Sequence, residues 1–387
     1  MKYDFTYYNP TKIYFGKDSL NSLHDELKHY GNNIMLVYGG GSIKKIGLYD
    51  EVIKILKEEG KTIFECGGIT PNPKYKEMLK GIKILEENNI DLILAVGGGS
   101  VIDCAKGMSV SKGYKDPFKS LWLDFKPINE NNIVPVGAIL TMVGTGSEFN
   151  GGSVITDEDR KIKMGRVFPS SVYPKFSILN PTYTYTLSEY QMLSGIFDTF
   201  SHLMEQYFSG DDDNTSDYLI EGLMRNLIVD TKKAIENPKD YEVRSNIMWT
   251  ASLALNTLVG LGKTQDWEVH NIEHQLGAYT DCAHGMGLAA ISVPYYKHIY
   301  KYGLDKFVRF AKNIWGIDDT NKTKDEVALE GIDALANYIK ESKMVTHIKD
   351  LGATVDILKD IAYSTVEGGG YKKVSHEEIY EILKEAF

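Results

Sequence analysis

Leu92-Ile-Leu-Ala-Val-Gly-Gly-Gly-Ser-Val-Ile-Asp-Cys-Ala-Lys106 is the stretch from which the fold reads outward. Leu92 to Val96 is a continuous apolar run, the mark of a strand buried on both faces of a parallel sheet. Gly97-Gly-Gly-Ser100 ends it, and Val101 onward opens a helix. Free backbone N–H groups and the helix dipole at such a start favour an anion, and three glycines let backbone approach it with no Cβ in the way. The same device stands upstream, where Ile34-Met-Leu-Val-Tyr38 runs into Gly39-Gly-Gly-Ser42. Neither copy is Gly-x-Gly-x-x-Gly, and neither closes with the Gly-Lys-Ser/Thr of a Walker loop. One such turn alone is evenly balanced between a ligand site and a tight connection. Two, at the ends of two strands of one sheet, favour a dinucleotide at the carboxyl edge.

Strand and helix patterns alternate around these turns. Lys61–Glu65 and Val134–Leu140 read as further strands, and 50–60 and 75–88 as helices. Beyond Leu187 glycine thins out and helical periodicity takes over at 189–208, 218–236, 241–258, from Trp267 onward, 305–315 and 324–343. The expected architecture is an α/β Rossmann-like dinucleotide-binding domain over residues 1–185, followed by an all-α metal-binding and substrate domain over 186–387.

The cofactor's ribose can be argued from the first glycine turn. An acidic residue ending an early strand would hydrogen-bond the 2′-hydroxyl of NAD. Here Tyr38 gives way to glycine and Ser42, with Lys44 and Lys45 just beyond. That chemistry suits a 2′-phosphate, so NADP(H) is expected over NAD(H).

Chemistry beyond the cofactor is concentrated in two windows. Three histidines fall within fifteen residues, in His270-Asn-Ile-Glu-His274 through His284-Gly285. Upstream, Asp198 and His202 are four residues apart and leave one face of a helix. A carboxylate with three imidazoles can hold a divalent transition metal and leave a position open for substrate. His24, His29, His298, His347 and His376 have no such company and read as ordinary.

Composition narrows the rest. A net charge of −10 over 387 residues argues against nucleic acid, whose phosphates demand clustered cations. Cys66, Cys104 and Cys282 are widely spaced and odd in number, which suits a reduced compartment. The opening Met1–Pro10 has no apolar signal core, and no apolar run approaches the ~18 residues of a membrane span. A cytoplasmic protein acting on a small molecule, with no membrane or nucleic-acid partner, is expected, and a homodimer is the expected assembly.

Taken together, these motifs resemble the iron-containing (group III) alcohol dehydrogenases, in the branch of NADPH-dependent butanol and aldehyde dehydrogenases. The resemblance spans the chain, through Asn9–Gly16, Tyr38–Ser42, Pro71-Asn-Pro73, Gly97–Asp103, Thr145-Gly-Ser-Glu148, Asp198-x-x-x-His202, His270-x-x-x-His274 and His284-Gly285. It implies a dehydroquinate-synthase-like architecture and metal-dependent interconversion of short-chain primary alcohols and aldehydes such as butanol and butanal. Fe²⁺ is the implied ion, with Zn²⁺ second. The implied metal ligands are Asp198, His202, His270 and His284, and His274 is the implied proton relay facing the nicotinamide. For the cofactor, the resemblance implies Gly39, Gly40 and Ser42 at the 2′-phosphate and Gly97, Gly98, Gly99 and Ser100 at the pyrophosphate, with Asp103 close by. Thr141, Thr145, Asn150, Lys163 and Leu179 would line the remainder. Asn180-Pro181 departs from the common Asp-Pro and leaves its hydrogen bonding open. The rival readings are an NAD-dependent polyol (glycerol-type) dehydrogenase and a dehydroquinate-synthase-like lyase, which would need cations around the metal.

Overall fold

The computed structural model describes residues 1–210 and 213–387. They divide into two compact units: Tyr8–Leu187, and Ser188–Phe387 together with Met1–Tyr7. The first seven residues thus group with the helical unit. Their backbone explains it, since the N–H groups of Lys2 and Tyr3 both donate to the carbonyl of Gly262.

The first unit carries eight strands: β1 (Lys12–Phe15), β2 (Asn33–Gly39), β3 (Thr62–Ile69), β4 (Leu92–Gly97), β5 (Val136–Leu140), β6 (Gly152–Asp157), β7 (Ile162–Val167) and β8 (Phe176–Leu179). Its helices are α1 (Ser22–Leu27), α2 (Ser42–Lys45), α3 (Leu48–Glu58), α4 (Tyr75–Glu87) and α5 (Gly99–Ser111). Six strands form one parallel sheet in the order β1-β8-β5-β4-β2-β3, and β6 and β7 pair separately as an antiparallel ribbon. β4 and β5 are buried at every residue, as their apolar runs demand.

Helix α5 is buried along nearly its whole length because it packs on both the sheet and α4. Small residues permit the approach: a Cβ on Gly107 would fall 2.6 Å from the sulfur of Met78. The short strands β1 and β8 and the ribbon β6–β7 were not foreseen from sequence. β1 is an edge strand of four residues with a mixed burial pattern, too brief to show a period.

The second unit is helical, with no strand among its described residues: α6 (Glu189–Tyr207), α7 (Thr215–Glu236), α8 (Tyr241–Ala254), α9 (Glu268–Thr280), α10 (His284–Ile299), α11 (Leu304–Trp315), α12 (Lys324–Glu341), α13 (Leu358–Ser364) and α14 (His376–Ala386). α6 starts at a capping box, Ser188 with Gln191, and is buried from Met192 to Tyr207, which makes it the central helix. The helical pattern from Trp267 onward resolves into α9 and α10, separated where Asp281 adopts a left-handed conformation at φ 53°. Among the described residues, no helix is long and apolar enough to cross a membrane.

Candidate active site

In the α/β unit the two glycine turns lie side by side. β2 and β4 are parallel neighbours, with Tyr38 opposite Val96, and both end in Gly-Gly-Gly-Ser. From β2 the chain proceeds outward to β3; from β4 it proceeds to β5 on the other side. The pair therefore flanks the point where the strand order reverses, the place where open α/β sheets bind ligands. The register continues this edge: Gly97 lies opposite Leu140, and Leu140 opposite Leu179. Gly39, Gly97, Thr141 and Leu179 thus sit at the carboxyl ends of four adjacent strands.

Packing by itself requires glycine at three of these positions. A Cβ at Gly97 would fall 2.5 Å from Val101, one at Gly98 would meet Met142 at 3.0 Å, and one at Gly99 would collide with the Thr145 hydroxyl. Gly40 is different, with open space where its Cβ would lie. Beside it, Lys44 sits 5.0 and 4.5 Å over the rings of Tyr38 and Tyr49, whose hydroxyls donate to Glu65 at 2.7 and 2.9 Å. The carboxylate in this neighbourhood is therefore held by tyrosines.

Below these turns, Asp103 and Lys106 on α5 anchor the loop that carries Thr145 and Asn150. Asp103 takes the Ser147 hydroxyl on one oxygen and the Val154 N–H, at 2.9 Å, on the other. Lys106, fully buried, donates to the carbonyls of Ser147 (2.9 Å) and Asn150 (3.2 Å) and to the Asn150 side chain (3.3 Å). Burial pulls its ammonium down to about 8 against the opposing pull of Asp103 and Glu148. Asp103 is thus an anchor of the loop, engaged within the protein at both oxygens. Lys163 is not on the six-stranded sheet but on the ribbon, opposite Thr156, whose N–H donates to the Pro73 carbonyl at 2.9 Å. The departure at Asn180 is resolved: its oxygen accepts from the Thr182 N–H, and its amide donates to the Lys17 carbonyl, which a carboxylate could not do.

In the helical unit, Asp198 and His202 share one face of α6, and His270 and His274 are one turn apart on α9. His284 opens α10. Glycine brings these helices together: a Cβ on Gly285 would strike the backbone carbonyl of Ser194 on α6, and one on Gly287 would lie 2.7 Å from Glu273 on α9. As a result the Asp198 Oδ1 atom lies 3.3, 3.6 and 3.5 Å from Nε2 of His202, His270 and His284. Donors around an ion at bond lengths of about 2.1 Å are spaced about 3.0–3.4 Å apart.

The burial fits an ion too. Asp198 Oδ1 and His270 Nε2 are both buried with no hydrogen-bond partner among the described residues, a state normally costly to a fold. Burial opposes a charge on Asp198, but the surrounding imidazoles outweigh it and hold the carboxyl well below the usual range. Burial likewise opposes protonation of His270, yet Glu205 and Asp198 push it up to about 10. To serve as a ligand, His270 would have to give up that proton from Nε2. The His284 side chain, at 23% exposure, marks the accessible side of the cluster.

His274 lies beside the cluster, its ring 6.1 Å from that of His270 and 5.6 Å from that of His284. Two carboxylates passed over in the sequence also appear here: Glu205 against Nδ1 of His270, and Glu273 against Nδ1 of His284. Helical spacing could have flagged both, since Glu205 is three residues after His202 and Glu273 three after His270.

Comparison with known proteins matches one family along nearly all of the chain. Residues 10–181 match the family described as iron-containing alcohol dehydrogenase, and 192–387 match the C-terminal domain of the same family. The NADH-dependent butanol dehydrogenase A of Clostridium acetobutylicum is 38% identical, with 99% of each chain covered. The NADPH-dependent aldehyde reductase YqhD of Escherichia coli is 36% identical over 90% of this chain and 89% of its own. A crystal structure of an NADH-dependent butanol dehydrogenase A from Thermotoga maritima superposes with a TM-score of 0.94 at 34% identity, covering 100% of this chain and 99% of that one.

Proposed function

The chain belongs to the iron-containing alcohol dehydrogenase family, and on that premise we propose that it interconverts short-chain primary alcohols and aldehydes with NADP(H), at an iron ion held by Asp198, His202, His270 and His284. The observation that carries the reading is the convergence of three Nε2 atoms on one buried carboxylate oxygen that accepts no hydrogen bond from the described residues. When bound, a divalent metal supplies Lewis acidity toward the substrate oxygen, and the nicotinamide supplies or accepts the hydride. The protein's own part is orientation and field. Asp198 stays ionised among the imidazoles, and the accessible edge at His284 is where a small substrate enters. We assign the proton relay to His274, whose ring lies 5.6 Å from that of His284, since imidazole titrates near neutrality.

The relatives include both NADH- and NADPH-dependent enzymes. NADP(H) is favoured here by the tip of β2, which offers glycine and open space at Gly40, with Glu65 held by Tyr38 and Tyr49. The lyase alternative is disfavoured by Lys263, a cation close in sequence to α9, whose ammonium is paired with Asp217.

The test is turnover of butanal by anaerobically Fe²⁺- or Zn²⁺-loaded protein with NADPH and NADH in parallel, and with Gly40→Asp beside the wild type. Metal-dependent NADPH oxidation about tenfold or more faster than NADH oxidation is expected, with Gly40→Asp reversing the order. Preference for NADH in the wild type overturns the cofactor assignment alone. Strong NAD-linked turnover of vicinal diols instead favours the polyol enzyme, and no turnover in metal-loaded protein overturns the dehydrogenase reading. In the same assay His274→Phe should lower kcat and remove an ionisation from its pH profile; an unchanged profile removes the relay role.

A further inference from the structure

Carboxylates are seldom fully buried without a reason, and two of those in the helical unit stand directly behind metal-ligating imidazoles. Glu205, on α6, is completely buried. One of its oxygens contacts Nδ1 of His270 and accepts from the Ser201 hydroxyl at 3.1 Å. The other accepts from the backbone N–H of His270 at 3.3 Å. Glu273, on α9, is equally buried, with one oxygen on Nδ1 of His284 and the other 3.9 Å from the Cys282 thiol. Each carboxylate therefore belongs to one helix and grips a ligand on another helix or at its start.

The chemistry of imidazole gives this arrangement a consequence. A neutral ring has one donor nitrogen and one acceptor. In the singly protonated ring that a metal requires, an anionic acceptor at Nδ1 holds the remaining proton there and frees Nε2, which lies 3.6 Å (His270) and 3.5 Å (His284) from Asp198 Oδ1, to be the donor to the ion. The same acceptor makes the ring a better electron donor. With Asp198, the two glutamates bring three negative charges to the centre, one more than a divalent ion neutralises.

We propose that Glu205 and Glu273 are positioning residues of the metal centre, which fix the tautomer and ring orientation of His270 and His284 and so set the affinity and geometry of the bound dication. The proposal rests on the metal reading given above. The competing explanation is purely mechanical, that the two carboxylates only pin α6 to α9 and α9 to α10. The two differ in what they change. Pins alter the stability of the apoprotein; positioning residues alter the ion's dissociation constant and coordination.

The experiment uses full-length apoprotein carrying Glu205→Gln or Glu273→Gln, each of which keeps the shape and one acceptor oxygen but removes the charge. Zn²⁺ affinity is measured by competition with a chromophoric chelator, and Co²⁺ is added as a spectroscopic probe whose visible bands report ligand geometry. Circular dichroism and apoprotein Tm check the fold. Each variant is expected to bind Zn²⁺ about 10–100-fold more weakly, with shifted Co²⁺ bands. Folded variants with affinity within twofold of wild type and unchanged Co²⁺ bands overturn the proposal, whatever their Tm. If Glu205→Gln does not fold, Glu273→Gln, behind the partly exposed His284, decides the matter by itself. A wild type that fails to bind one equivalent of metal would instead overturn the metal reading, and neither measurement depends on turnover.

Discussion

The two units build their sites from opposite materials. In Tyr8–Leu187 the candidate site is made of backbone: glycine turns at the ends of β2 and β4, with side chains such as Asp103 and Lys106 serving as struts beneath. In Ser188–Phe387 it is made of side chains, and the backbone is locked into helices whose glycines only let them approach. The difference matches the ligands proposed for each unit. A pyrophosphate spreads charge over many oxygens and is well met by a row of N–H groups, whereas a metal ion needs a few lone pairs at fixed distances.

That contrast can be broken one side at a time. The largest effect is expected from Asp198→Asn, which keeps the shape but removes the charge facing three imidazoles. Loss of several kcal/mol at a metal centre corresponds to a fall of roughly a thousandfold or more in metal-dependent turnover. NADPH binding, followed by nucleotide fluorescence, should stay within about twofold, and a parallel loss there would erase the separation between the units.

Gly99→Ala is the reciprocal change. Its methyl group would collide with the Thr145 hydroxyl in a fully packed turn. Overpacking of about 1–3 kcal/mol predicts NADPH affinity lower by about 10–100-fold, with metal stoichiometry unchanged. Wild-type NADPH affinity in this variant would show that the turn does not hold the cofactor.

The smallest effect concerns how the helical unit holds its last element through side chains. Glu378 accepts from the Ser375 N–H at the start of α14 and pairs with Lys372 and His298. Burial opposes its charge, but these partners prevail and pull the carboxyl down to about 2. Its folded pKa is below its unfolded value, so its contribution is present above about pH 4.5 and lost as pH falls through about 2. The group is partly exposed, at 28%, and screening limits the effect to about 1 kcal/mol or less. Glu378→Gln should lower Tm by about 2–4 °C or less at pH 7 and by much less at pH 2, where the group is half protonated. An equal loss at both pH values would mean the charge is irrelevant.

Legibility in the sequence divided along physical lines. The apolar runs of β2, β4 and β5 are continuous because both faces of those strands are buried, and they could be read directly. β1 and β8 are four residues each, and the ribbon β6–β7 alternates too weakly to announce itself. The pairing of Asp198 with His202 and of His270 with His274 follows from helical spacing alone. Glu205 and Glu273 stand three residues after His202 and His270, a helical spacing that points to them, but a glutamate on a helix is ordinarily solvated and spacing says nothing of burial.

The sequence by itself therefore determined the elements, the glycine turns and the types of ligand available, because periodicity, glycine and residue chemistry act over a few neighbours. Only the tertiary structure decided that His284 would reach Asp198 across 86 positions, and that buried carboxylates would stand behind two of the imidazoles. Those outcomes depend on how closely α6, α9 and α10 pack at Gly285 and Gly287, and such distances are set by the whole helical core rather than by any stretch of chain.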